Sequence, residues 1–370
     1  MIFCFLTLLL LDTDAAAWRI NETGVYQPLR TDEVIVRPDG HVYVLNFNDA
    51  KIGHYDATGK YVGTIGSKGK GPGQFTYPMQ FFYDQGRLYV SDIINSSVSV
   101  FEQDGKFVER VRIPQRGITL ARIPNGWIYG TWGDNSNPGQ AASVMAAGDR
   151  FEDPVALFQL KENGYGGGLN IEEENGKVMA VFTPLSDAPN MVANADGSRV
   201  YVSEPGIFHV RVIDTKARTV IAEIKHPSKR IPFDAEWGLA ERERVETMIP
   251  PEDRGIKFKN NFPQFFPSIR AMLVAPEGHL VVNRWAGRPD IRSHPLVLDD
   301  KGNDQKTNWS WETLERIARI AENFAYVIYF DEKSEQGALA RVPVKNVAAF
   351  IDAHPVNYEG PRGRRIMMEN

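Results

Sequence analysis

A short pattern of two strands joined by a glycine turn recurs along this chain and restricts the possible folds more than any other feature. The segment VRPDGHVYV at 36–44 matches FYDQGRLYV at 82–90, which lies 46 residues further on. The same offset places HYDATGKYV at 54–62 on VFEQDGKFV at 100–108, so a unit of four strands is repeated. Further copies of the first hairpin are RIPNGWIYG at 122–130, ANADGSRVYV at 193–202 and VAPEGHLVV at 274–282.

A sixth and weaker copy begins at Asn323, with NFAYVIYFDEKSEQGALARVPV. Repeats of about 40 to 50 residues with four strands each are the signature of a β-propeller. We therefore predict an all-β fold, a six-bladed β-propeller over residues 18–350. We expect the last blade to be completed by a strand from near the N terminus, with ETGVYQPL as the candidate, because an unclosed ring leaves an edge strand unpaired.

Two stretches interrupt the repeats with helical patterns. In DAEWGLAERERVETM, at about 234–248, Trp237, Leu239, Val245 and Met248 share one side of a helix. The second stretch, SWETLERIARIAENF, begins with Ser310 as a possible N-cap and predicts a helix over about 310–322. We interpret both as short insertions between late blades, and residues 351–370 as a C-terminal tail.

The N terminus has the pattern of an export signal. An apolar run of about ten residues is followed by Ala15, Ala16 and Ala17, which is long enough for a signal peptide and too short to cross a bilayer. We predict a signal peptide over 1–17 and a secreted or periplasmic protein without an integral membrane span; an apolar first strand is the alternative. The only cysteine, Cys4, lies in that segment, so the predicted mature chain has no disulfide and no thiolate metal site.

The charge balance excludes one class of partner. The formal net charge is −5 at pH 7, which provides no basic field to neutralise a polyphosphate. We expect no nucleic acid partner.

The glycine-rich segment between the first two repeats points to a family. The string GKYVGTIGSKGKGPGQFTYP, followed by GRLYVSDIINSSVSVFEQDGKFVERV, resembles the NHL-repeat pattern of six-bladed propellers, in which a strand ends at a glycine-rich turn, Gly-Gln-Phe and a proline. The similarity is specific over 30–113 and looser to about 345. The chain also resembles uncharacterised exported bacterial six-bladed β-propeller proteins. This resemblance implies the fold, but such propellers include lyases, lactone hydrolases and binding modules.

The seven histidines form no metal-binding pattern. His41 and His279 occupy the same position after the glycine turn, where other copies have arginine or tryptophan, and are predicted to lie on blade surfaces. His54 aligns with valines of other copies and is predicted to be a packed side chain. The others are scattered in the sequence: His209, His226, His294 and His354. We therefore predict no metal, and no catalytic residue can be assigned.

The starts of the inner strands are predicted to face a central channel. Alignment of the copies places Asp32, Asn190 and Arg270 at one level and Glu33 and Thr119 at the next. Calcium prefers six to eight oxygen ligands, and Arg270 would compete for the carboxylates. A calcium- or metal-dependent hydrolase of the lactonase type, or a lyase, acting at this channel is the alternative function. A water-filled structural channel is the other interpretation.

One face of a propeller collects the turns between the second and third strands of each blade and the links between blades. We call this the loop-rich face. Its candidate ligand-binding residues are Trp132, Asp134, Asn135, Arg284, Trp285 and Arg288, with Lys68 and Lys70 at the rim. Aromatic and arginine side chains are suited to this role because they stack on ligands and form hydrogen bonds to them. The alternative interpretation is that these residues belong to ordinary solvated turns, since loops are polar by default.

The segment GSKGKGPGQFTYP at 66–78 is interpreted as a link between blades on this face. A phosphate-binding loop requires Gly-Lys-Ser/Thr before a helix, whereas here Gly71 and Pro72 follow Lys70 and a strand follows Pro78. The sequence thus predicts an exported, non-catalytic binding or scaffold propeller without a cofactor. Its expected ligand is a protein, peptide, glycan or small polar molecule.

Overall fold

The computed structural model describes residues 16–26, 29, 33–92, 95–114, 117–131, 142–160, 168–174, 177–183, 189–204, 206–227, 229–246, 257–275, 277–285, 287, 295–307 and 309–355. The chain divides into two compact units. Unit 1 consists of Met1–Val90, Phe101–Glu109 and Glu312–Asn370, and unit 2 of Ser91–Val100 and Arg110–Trp311.

The strands form the predicted six-bladed β-propeller. Each blade is an antiparallel sheet whose strands follow one another in the chain, except where stated below. The first strand is β1 (Trp18–Ile20). Blade 1 contains β2 (Val34–Val36), β3 (Val42–Asn46), β4 (Lys51–Tyr55) and β5 (Tyr61–Ile65). The link to blade 2 contains the short parallel pair β6 (Ser67–Lys68) and β7 (Gln74–Phe75).

Blade 2 contains β8 (Pro78–Asp84), β9 (Arg87–Asp92), β10 (Ser97–Glu102) and β11 (Phe107–Arg112). Blade 3 contains β12 (Gly117–Ile123), β13 (Gly126–Thr131), β14 (Ser143–Ala147) and β15 (Val155–Gln159). After the hairpin of β16 (Gly168–Glu174) and β17 (Lys177–Thr183), blade 4 contains β18 (Met191–Ala193), β19 (Arg199–Ser203), β20 (His209–Asp214) and β21 (Thr219–Lys225).

Helix α1 (Ala235–Glu246) and strand β22 (Lys257–Asn260) precede blade 5, which contains β23 (Ile269–Val274), β24 (Leu280–Arg284) and β25 (Leu296–Leu298). The fourth strand of blade 5 is reduced to a single bridge between Leu298 and Asp304. After the one-turn helix α2 (Trp311–Leu314), blade 6 contains β26 (Ile317–Ala321), β27 (Phe324–Asp331) and β28 (Gln336–Pro343). A 3-10 turn (Val344–Asn346) and helix α3 (Val347–Ala353) follow.

The N-terminal strand completes blade 6, although the residues that do so differ from the predicted candidate. Strand β1 pairs antiparallel with β28, with Trp18 opposite Arg341. Of the predicted segment at 22–29, Thr23, Gly24 and Val25 bind the first two residues of β28, Gln336 and Gly337, outside the register of this ladder. Thr23 Oγ1 donates to the Gly337 carbonyl at 2.6 Å, and the Gly24 amide donates to the Gln336 side chain at 2.7 Å.

The two stretches with helical patterns differ in the structure. Helix α1 lies within the predicted range 234–248, and the Asp234 side chain accepts a hydrogen bond from the Trp237 amide at 3.0 Å. The helix predicted over 310–322 is wrong beyond Leu314, because residues 317–321 form β26, the inner strand of blade 6. Pairing with β27 outweighs the helical propensity of this segment, as tertiary context commonly does.

A three-stranded sheet is inserted into the ring sequence and has no counterpart in the repeats. Strands β16 and β17 form an antiparallel hairpin, and β22 joins β17 in parallel. The inner strand of blade 3, β12, contacts the inner strand of blade 4, β18, so the inserted sheet does not take a blade position between them. The two links that supply it join blade 3 to blade 4 and blade 4 to blade 5.

Each unit has buried apolar clusters between neighbouring blades. In unit 1, Tyr43, Leu45 and Ile52 pack with Phe75 and Phe101. In unit 2, one cluster joins blades 3 and 4 and another joins blades 4 and 5. Strands alternate between these clusters and the opposite side because the side-chain period is two. None of the helices among the described residues has the length and apolar character needed to cross a membrane.

Candidate functional site

The sequence-predicted site residues fall into two groups. Five of them lie outside the described residues: Asp32, Trp132, Asp134, Asn135 and Arg288. The others are described, in two separate units: Glu33, Lys68 and Lys70 in unit 1, and Thr119, Asn190, Arg270, Arg284 and Trp285 in unit 2.

The glycine-rich link satisfies its own backbone. The Gly69 amide donates to the Phe75 carbonyl at 2.9 Å, and the Gly71 amide donates to the Gln74 side chain at 2.9 Å. Phe75 is fully buried and its ring lies against Phe101 with centroids 5.6 Å apart. Amides engaged inside the loop cannot converge on a phosphate, which supports the interpretation as a blade link. Lys68 and Lys70 are exposed on this link.

The predicted channel residues of unit 2 lie on neighbouring inner strands. Thr119 Oγ1 donates to the Pro189 carbonyl at 3.4 Å, and the Asn190 amide donates to Ser203 Oγ at 2.8 Å. In unit 1, Glu33 is almost fully buried at the start of β2. Among the residues that the structure describes, no group of three or more His, Cys, Asp or Glu side chains is arranged to hold a metal ion.

A group of half-buried aromatic side chains in unit 2 is supplied by the chain segment that links blades 4 and 5 and by Trp285 just after β24. We call it the aromatic cluster, and it consists of Phe233, Trp237, Phe262, Phe266 and Trp285. Neighbouring ring centroids are 5.1 to 5.9 Å apart, with Phe266 stacked on Trp285 at 5.8 Å. Phe266 is buried, whereas the other four rings keep partial solvent exposure. Partly exposed rings of this kind offer apolar faces, and tryptophan adds a hydrogen-bond donor.

Local backbone contacts assemble this cluster from two segments of one link. Pro232 forms a bridge with Phe265, the Phe233 amide donates to the Gln264 carbonyl, and the Phe266 amide donates to the Ile231 carbonyl. Helix α1 then brings Trp237 onto Phe233. A glycine at 238 is required here, because a Cβ would lie 2.8 Å from the Phe233 ring and 3.1 Å from the Phe262 ring.

Arg270 joins the aromatic cluster at Trp285. The guanidinium carbon is 5.1 Å from the centroid of the indole ring, within the range of a cation–π contact. A shift in the pairing of β23 with β24 lies between Ile269 and Ala271, so Arg270 occupies a β-bulge. Bulges re-aim side chains near functional sites. The structure therefore brings together two residues that the sequence places separately, Arg270 at the channel and Trp285 on the loop-rich face.

A buried ionic network supports the neighbouring turn of blade 4. Glu204, whose side chain is 1% exposed, lies 2.5 Å from the Arg211 guanidinium and 3.3 Å from His209 Nδ1. His209 Nε2 is 3.5 Å from Glu223 on the next strand. The Arg211 guanidinium also lies over the Phe158 ring at 4.1 Å. These contacts hold the β19–β20 turn against blade 3.

The outer end of this network is a charged surface group. The Lys225 ammonium, 2.5 Å from the Glu223 carboxylate, is the main cause that lowers the pKa of Glu223 to about 2. His209 and Arg211 also lower the pKa of Glu223.

Sequence reasoning missed the phenylalanines of the aromatic cluster and the partners of His209. The segment NFPQFFPS at 261–268 contains three phenylalanines and two prolines, which was the available signal for the cluster. His209 has its partners five residues before it and fourteen residues after it, and such distances carry no local pattern.

The fold and the site define a six-bladed β-propeller with an aromatic surface between two blades. Of the solved structures, the exported protein BF0058 of Bacteroides fragilis matches with 13% identity over 88% of this chain and 93% of that chain, at a TM-score of 0.49. Virginiamycin B lyase of Staphylococcus aureus matches with 11% identity over 87% and 97%, at 0.41, and a luciferin-regenerating enzyme with 12% over 86% and 93%, at 0.38. No family model and no curated protein matches the chain.

Proposed function

We propose that this chain is an exported binding propeller that captures a polar ligand through the aromatic cluster and Arg270. The observation that carries the proposal is the group of four partly exposed aromatic rings around Phe266, with an arginine at its edge. Ligand sites are commonly lined by aromatic side chains with a few polar groups that fix orientation. The proposed site needs no metal and no catalytic group.

The chemistry of the cluster favours a glycan over the other ligands that the sequence allows. A sugar ring presents C–H groups on its face and hydroxyl groups around its edge. The aromatic faces of Trp237 and Trp285 suit the C–H groups of the sugar face. The Arg270 guanidinium only donates hydrogen bonds, so it suits hydroxyl or carboxylate oxygens. A peptide or a small polar molecule remains the alternative occupant of the same surface.

Binding to a defined panel of probes tests this function. The panel contains neutral oligosaccharides, uronate-containing oligosaccharides and random-sequence peptides, and binding is followed by the fluorescence of the protein's tryptophans. We expect saturable binding of at least one oligosaccharide, weakened about 30-fold or more by Trp285→Ala, since buried aromatic anchors commonly contribute 2 kcal/mol or more. Arg270→Ala should weaken the binding of uronate-containing oligosaccharides more than the binding of neutral ones.

A matched control separates site-specific effects from general ones. Tyr26 is an exposed aromatic residue outside the cluster, and Tyr26→Ala should leave binding unchanged. If the protein binds only the peptides of the panel, its ligand is a peptide, the alternative given above. Equal binding by the wild type and Trp285→Ala, or no binding to any probe, would contradict the proposed function.

A further inference from the structure

Two histidines in unit 1 contact each other through ring nitrogens at the glycine-turn end of blade 1, with their ring planes tilted by 39°. His41 Nδ1 and His54 Nε2 are 3.0 Å apart, and the ring centroids are 5.2 Å apart. His41 directly precedes β3, and His54 lies in β4, which pairs with β3 so that Tyr43 stands opposite His54. The strand register therefore brings together two imidazoles that are thirteen residues apart in the chain.

The surrounding side chains hold His54 in this orientation. Its ring stacks on Tyr43 with centroids 4.6 Å apart, and it is only 7% exposed. Tyr43 is itself fixed, because its hydroxyl donates to the Gln103 carbonyl at 2.7 Å and accepts from Arg37 at 3.1 Å. Metal-binding histidines are commonly oriented by such outer contacts.

Burial and the neighbouring cationic groups act against protonation of His54, whereas the Asp39 and Asp56 carboxylates act in the opposite direction. Burial is the main cause that lowers the pKa of His54, followed by His41 and Arg37. The Arg37 guanidinium is itself paired with the Asp39 carboxylate at 2.5 Å, which reduces its repulsion of a cation. The two ring nitrogens are at hydrogen-bond distance, so one of them donates and the other accepts; a metal ion can replace this hydrogen bond once the donor ring moves its proton to its other nitrogen.

The separation of the two nitrogens selects among metals. With metal–nitrogen distances of about 2.0 to 2.1 Å, nitrogens 3.0 Å apart subtend an angle of about 90° at the metal. That angle is typical of square-planar and tetragonal coordination by Cu²⁺ and Ni²⁺. Tetrahedral Zn²⁺ would require the nitrogens to be about 3.4 Å apart.

We propose that His41 and His54 form a two-imidazole site for Cu²⁺ or Ni²⁺, with solvent molecules as the remaining ligands. Two ligands are proposed because no third His, Cys, Asp or Glu among the described residues is placed to join them. The site does not depend on the aromatic cluster or on the proposed function.

The repeat itself supplies substitutions that should preserve the fold. Other blades have arginine at the position of His41, as at Arg87 and Arg199, and valine at the position of His54, as at Val100 and Val212. We therefore choose His41→Arg and His54→Val. His279 is the repeat equivalent of His41 in blade 5, and His279→Ala serves as the matched control. All proteins are used as full chains without a histidine tag.

Titration with the chloride salts of Cu²⁺, Ni²⁺ and Zn²⁺ by calorimetry is the test, with circular dichroism to confirm folding. We expect one Cu²⁺ per chain, an electron paramagnetic resonance spectrum with nitrogen coupling, and at least tenfold weaker binding in His41→Arg and in His54→Val. His279→Ala should bind as the wild type does. The proposal is wrong if either blade 1 variant binds Cu²⁺ and Ni²⁺ like the wild type, or if the wild type binds neither ion.

Discussion

Three glycines of unit 1 separate the two reasons for which a glycine can be required in this fold. Gly63 has ordinary backbone angles, and a Cβ there would meet nothing within 4 Å. Gly86 has a φ of 80° but also open space around it. Gly66, at the start of the glycine-rich link, has a φ of 77°, and a Cβ would lie 2.1 Å from the Phe75 ring.

The expected losses in the free energy of unfolding follow from these contacts. Gly63→Ala should change it by less than about 0.5 kcal/mol, as for a surface change. Gly86→Ala should cost about 1 to 2 kcal/mol, the penalty of left-handed backbone for a residue with a Cβ. Gly66→Ala should cost about 2 to 5 kcal/mol, because overpacking adds about 1 to 3 kcal/mol when a buried ring has no room to move.

A double substitution shows whether the clash with Phe75 is the cause. Phe75→Ala alone should cost about 3 to 5 kcal/mol, since the ring is fully buried. In that background Gly66→Ala should cost only the backbone penalty, about 1 to 2 kcal/mol. Guanidinium unfolding followed by both fluorescence and circular dichroism gives these values if the two probes coincide. Additive effects of the two substitutions, or equal losses for Gly66→Ala and Gly86→Ala, would refute the reasoning.

Three further predictions concern unit 2. Gly238→Ala should cost about 1 to 3 kcal/mol and change the near-ultraviolet circular dichroism, because its Cβ overlaps the Phe233 and Phe262 rings; an unchanged spectrum would contradict the packing described. Tyr201→Phe removes the hydroxyl that donates to the Asp300 carboxylate between blades 4 and 5, and should lower the free energy of unfolding by about 1 to 2 kcal/mol. Glu223 has its pKa lowered to about 2 from 4.5, so its contribution is complete above about pH 4.5 and is lost as the pH falls toward 2. Glu223→Gln should therefore flatten the fall in unfolding midpoint between pH 4.5 and 2, and parallel profiles for the two proteins would disprove this.

Much of the fold was predictable because each blade carries its own local signals. Glycine turns such as Gly40 and Gly59 adopt positive φ, which few other residues tolerate, and short runs rich in β-branched and aromatic residues flank them. These signals do not depend on distant residues, so the repeat count and the hairpins could be predicted. The helix predicted over 310–322 failed because the spacing of Ile317 and Ile320 fits a helical stripe, whereas in the structure a register shift between Ile317 and Arg319 places them opposite Val327 and Ala325 of β27.

The candidate site was predictable only in part. Trp285 and Arg270 were selected as candidates for two different sites, and their contact with each other, which involves the bulge in β23, was not predicted. The prediction that Trp132, Asp134, Asn135, Arg288 and Asp32 take part in binding stays a prediction. His54 was expected to be a packed side chain, and it is packed, but its closest polar neighbour is another histidine.

The sequence by itself therefore determined the repeated hairpins and their glycine turns, because neighbouring residues supply the chemistry of a strand and a turn. Only the tertiary structure decided which segment closes blade 6 and that β22 joins β17 from more than 70 residues away. Those outcomes depend on which backbone groups find partners across long stretches of chain. A local sequence pattern does not show which of several distant segments will pair with a given strand.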